Sequence, residues 1–95
     1  MHPGYSAEFH YSIVRERSFQ DKFESFIKDY QRLAEVESAI DWALARRPHS
    51  FTQIATDTYF LVTEDLGEFG IPSLQILYMI DSSERRVLLI DVDLK

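Results

Sequence analysis

The chain first alternates and then changes period. Over residues 8–14, EFHYSIV, Phe9, Tyr11 and Ile13 point one way and Glu8, His10 and Ser12 the other, which predicts a half-buried strand. Ser18-Phe-Gln-Asp21 follows, a hydroxyl with an acid three residues on, and predicts a helix start. Phe19, Phe23, Phe26, Ile27 and Tyr30 then recur at helical spacing as an aromatic stripe, and Leu33, Val36, Ile40 and Leu44 carry the period onward. Arg46 and Arg47 sit where cations suit a helix C-terminus, and Pro48 ends the run. Residues 18–47 hold neither Gly nor Pro, so one helix of ~44 Å is allowed at 1.5 Å per residue. Such a rod is too long for so small a domain. A break near Gln31-Arg32, giving a helical hairpin, is the preferred reading.

The period then shortens to two. Residues 58–63 (TYFLVT), 73–80 (SLQILYMI) and 86–94 (RVLLIDVDL) predict strands, with DLGEFGIP as a loop and residues 81–84 (DSSE) as a turn. Strands joined by short connections form an antiparallel meander. The order is an N-terminal strand, a helical hairpin and a three-stranded antiparallel meander. This is an α+β fold with the helices on one face of the sheet, built as a single domain over residues 1–95. Parity assigns Leu74, Ile76, Tyr78 and Ile80 to the covered face, together with Leu88, Ile90, Val92 and Leu94. It leaves Leu77, Met79, Val87 and Leu89 on the uncovered side beside Asp91 and Asp93. That part-apolar, part-acidic surface either binds a partner or lies under a loop or the N-terminal segment. Trp42 lies off the main helical stripe, and is expected either to pack on the sheet margin or to anchor a partner.

Charge refines this picture. The chain of 95 residues carries a net charge of -6, and eight acids in residues 48–95 face only Arg85, Arg86 and Lys95. Phosphate binding needs clustered Lys and Arg, so the balance weighs against direct nucleic-acid binding. The absence of cysteine excludes a disulfide scaffold and thiolate chemistry. His2, His10 and His49 lack ligand spacing, and Glu64, Asp65 and Glu68 around Gly67 match no calcium loop. No metal and no cofactor are expected. No apolar run approaches a membrane span and the N-terminus lacks a signal-peptide pattern, so the cytoplasm is the expected compartment.

The order of elements, with Ala-Arg-Arg-Pro48, Tyr59-Phe-Leu-Val, Ile71-Pro72, Ile76-Leu-Tyr78-Met-Ile-Asp81 and Val87-Leu-Leu-Ile-Asp-Val92, resembles the RelE/ParE superfamily of bacterial type II toxin–antitoxin toxins. The resemblance covers residues 8–94. It implies a toxin held inactive by an antitoxin, and a target that is either the ribosome, where RelE-like members cleave mRNA, or gyrase, which ParE-like members inhibit. RelE-like nucleases place basic residues on the later strands and a Tyr beyond the last one. On that pattern Lys95, Arg85 and Arg86 are the candidate catalytic residues. Gln75 stands where Arg is usual, and the Tyr would fall beyond Lys95. The substitutions favour a toxin-family protein that works by protein–protein contact, with a ribosome-dependent mRNA endonuclease or a divergent non-toxic interaction domain as alternatives. The expected partner is an antitoxin with a basic segment, meeting Leu77, Met79, Val87, Leu89, Asp91, Asp93 and Trp42.

Overall fold

A computed structural model describes residues 10–95. Glu8 and Phe9 of the expected first strand, and His2, lie outside the described residues. The elements are β1 (Ser12–Arg15), α1 (Arg17–Asp29), α2 (Leu33–Arg46), a 3₁₀ turn (Pro48–Ser50), β2 (Thr52–Ala55), β3 (Thr58–Val62), a second 3₁₀ turn (Gly67–Phe69), β4 (Leu74–Asp81) and β5 (Arg86–Leu94). The fold is α+β, and its helices form the expected hairpin. Tyr30 closes α1 by donating its N–H to the Phe26 carbonyl, and α2 begins at Leu33. Ser18 does not cap. It lies inside the first turn, Glu16 is the cap position, and the Ser18 hydroxyl donates instead to the Ile90 carbonyl at 3.0 Å.

The sheet has five strands in the order β1-β5-β4-β3-β2, with β1 parallel to β5 and all other pairs antiparallel. The meander therefore has four strands rather than three. The extra one, β2, is exposed along its whole length and carries no clear alternation. It joins β3 through a two-residue turn, Thr56-Asp57, in which Asp57 takes a left-handed φ of 57°. Asn or Asp ahead of Gly is the usual signal for such a turn, and Gly is missing here.

The core fills the space between the helices and one sheet face. Phe19 and Phe23 of α1 stack at 5.8 Å, and Leu33, Ile40 and Leu44 of α2 join them over Leu74, Ile76, Tyr78 and Ile80. On β5 the expected parity holds for only half the strand. Val87, Leu89 and Val92 are in the core, 0%, 1% and 1% exposed. The reason is a bulge: Tyr78 pairs with Leu89 and Leu77 with Asp91, so Ile90 is an extra residue that reverses the facing of everything before it. Two hydrogen bonds from the start of α1 hold this point, Glu16 N–H to the Leu89 carbonyl at 2.9 Å and Ser18 Oγ to Ile90. Leu88, expected beneath the helices, instead pairs with Met79 on the uncovered side.

Candidate functional site

The sheet face opposite the helices, uncovered among the described residues, is assembled from alternate residues of β3, β4 and β5. Phe60 pairs with Leu77 and Thr58 with Met79; across the next ladder Leu77 pairs with Asp91, Gln75 with Asp93 and Met79 with Leu88. These residues share one side because side chains alternate along a strand. Met79 is 39% exposed, while Phe60, Leu77 and Leu88 are half-buried. Toward β2 the face deepens into a cleft of about 280 Å³ lined by Ile54, Phe60, Gln75, Leu77 and the two aspartates. The centre is apolar and one margin is acidic.

That margin is already partly neutralised. Lys22 reaches from α1 to Asp91 at 3.0 Å and to Asp93 at 2.9 Å. Asp93 first, and Asp91 next, raise the Lys22 ammonium above its ordinary pKa. One cation between two carboxylates leaves the margin with a charge of about -1, open to a second cation from outside.

The residues singled out from the sequence divide into three groups. Leu77, Met79, Asp91 and Asp93 do share this face. Val87 and Leu89 do not; the Ile90 bulge turns both inward, and as core residues they offer nothing to a partner. Trp42 stands apart on α2. It does not pack on the sheet margin but is 54% exposed, with the Arg46 guanidinium 4.3 Å above its ring.

The candidate catalytic residues do not converge. Arg86 opens β5 and Lys95 follows its end, so about 30 Å of strand separates them. Arg86 is held by Asp81 at 3.0 Å, and Arg85 lies in the preceding turn over the Tyr11 ring at 4.9 Å. Phosphoryl chemistry on RNA needs acid, base and cation within reach of one phosphate. These three residues supply no such site. His49 is wedged edge-on between Tyr11 at 6.0 Å and Tyr59 at 5.8 Å, which gives it an aromatic packing role. Asp65 receives the Gly67 N–H at 3.0 Å and so shapes its own loop. Among the described residues no three His, Asp or Glu side chains gather as metal ligands would.

Sequence reading missed Phe60, Leu88 and the Lys22 clasp. Phe60 was legible, since it alternates with Tyr59 and Leu61. Leu88 was hidden by the bulge, and the clasp joins residues about seventy positions apart.

No family model, no curated protein and no solved structure matches this chain. No helix among the described residues is long and apolar enough to cross a membrane.

Proposed function

We propose that this chain is a RelE/ParE-like toxin-family protein of a type II toxin–antitoxin system, acting in the cytoplasm by protein–protein contact. In this reading an antitoxin neutralises it by laying a segment with apolar and basic side chains across the open sheet face. The observation that carries the reading is that face itself: Phe60, Leu77, Met79 and Leu88 flanked by Asp91 and Asp93. Apolar contact would supply affinity, and the acidic margin would select a partner with Lys or Arg. The succession of strand, helical hairpin and antiparallel meander supports the family assignment. The dispersal of Arg85, Arg86 and Lys95 favours contact over RNA cleavage.

Induced expression of the chain alone tests the proposal. Growth arrest is expected, with relief when the product of an adjacent small reading frame is co-expressed. The triple replacement of Arg85, Arg86 and Lys95 by Ala should keep the arrest; its loss would favour the nuclease. Met79→Glu should weaken capture of the antitoxin at least tenfold. High soluble expression with no growth defect would sink the toxin reading and leave a non-toxic interaction domain.

A further inference from the structure

The helix α2 carries a second surface, unrelated to the open sheet face. Glu35, Ala39, Trp42 and Arg46 are spaced by three or four residues and so form one stripe along its solvent side. Beside the stripe a groove of about 350 Å³ opens between α2 and β3. Phe51, Leu61, Leu66 and Ile71 form its apolar floor, and its charged lip is acidic, from Glu35 and Glu64. Ala39 and Ala43 line the helix side and leave room above them. The stripe thus holds a knob and a hole. The knob, Trp42 under Arg46, is aromatic and basic; the hole is apolar and acidic. Trp and Arg are the residue types that dominate interface energetics.

We propose that the occupant of this groove is a second copy of the chain, docked through an antiparallel, two-fold pairing of α2 with α2. One register satisfies both halves. Four residues forward on one helix, from Trp42 to Arg46, corresponds to four residues back on the other, from Ala39 to Glu35. The indole of each copy then lies over the partner copy's Ala39 at the groove mouth, and each Arg46 meets a Glu35 carboxylate. Two-fold symmetry makes every contact twice. Glu35 now pairs with Arg32 at 3.1 Å. That exposed bond is weak and the carboxylate can serve both guanidiniums.

A helix of 14 residues offers a contact ~21 Å long. Together with the groove lip this falls near or below the roughly 1,200 Å² of the smallest stable complexes. The dimer is therefore of the weak, reversible kind.

Sedimentation equilibrium of the purified full chain, without any partner, tests this independently of toxicity. The mass should rise from 11.2 kDa toward twice that value across a concentration series from about 5 to 500 µM. The single Trp of the chain provides a second readout, since its emission should shift to the blue as the dimer fills. Trp42→Ala should weaken association at least tenfold. Arg46→Glu and Glu35→Arg should each do the same, and the two together should restore it to within about threefold, because the charge pair is rebuilt in reverse. Circular dichroism confirms that each variant is folded. A chain that stays at 11.2 kDa throughout overturns the proposal, as does a double reversal no tighter than the singles.

Discussion

The hydroxyl of Tyr78 donates to the carbonyl of Pro48 at 2.5 Å, tying the middle of β4 to the turn that ends α2. Tyr78 is fully buried, and its ring stacks on Tyr59 at 5.6 Å. Burial pushes the phenol far above its ordinary pKa, so it remains a donor through neutral and mildly alkaline pH. Tyr78→Phe keeps the ring and strands a buried carbonyl. We expect a loss of ~1–3 kcal/mol, read from urea unfolding. A variant within experimental error of the parent would mean that the carbonyl finds another donor.

Acid should loosen the β4–β5 turn only once pH falls below the ordinary carboxylate range. Ser83, then Arg86, then the Glu84 N–H hold the Asp81 carboxyl below its ordinary pKa. A depressed folded-state value means the unfolded chain binds the proton more tightly. The stabilisation is present above the unfolded carboxylate range near pH 4 and is lost as pH falls through the lower folded value. Asp81→Asn removes this component. Its thermal midpoint should lie below that of the parent at pH 7, and the gap should narrow toward pH 2.

Lys22 behaves in the opposite sense. Its raised pKa stabilises the fold below the unfolded Lys value near 10.4, and the contribution disappears as pH climbs through the folded value. The contact is exposed, so its main consequence concerns binding. Lys22→Ala frees Asp91 and Asp93, and should tighten a Lys-rich peptide on the open face several-fold at low salt. Asp91→Asn with Asp93→Asn should weaken the same peptide. Titration calorimetry distinguishes the two directions.

Met79→Lys probes the face without touching the core. Stability should change by less than about 0.5 kcal/mol, as at most exposed sites. Capture of a partner across that face should fall at least tenfold. Leu89→Lys provides the contrast: it buries a charge in the core, and the chain should not fold.

Much of this was legible from residues alone. Alternation from Leu74 to Ile80 named the covered face of β4, and the lack of Gly or Pro between Ser18 and Arg47 still allowed a hairpin on grounds of size. What escaped notice was what local pattern cannot encode. Val87-Leu-Leu-Ile90 is apolar at every position, so either parity fits it. The choice is made by Glu16 and Ser18, more than seventy residues away, which bind the carbonyls of Leu89 and Ile90. β2 escaped because Thr-Gln-Ile-Ala has neither length nor alternation. Lys95, Arg85 and Arg86 were candidates only through the family resemblance, and a strand of nine residues keeps its two ends apart.

The parallel pairing of Ser12–Arg15 with Arg86–Leu89 also bears on when the molecule comes into being. β1 must wait for a strand made about seventy residues later. Until then the aromatic stripe of α1 has no β5 to cover, and the carbonyls that fix the bulge do not yet exist. Closure over so long a separation is slow compared with helix formation. The sheet is thus incomplete until β5 leaves the ribosome, which leaves an interval in which a waiting partner can meet the unfinished sheet before the finished one.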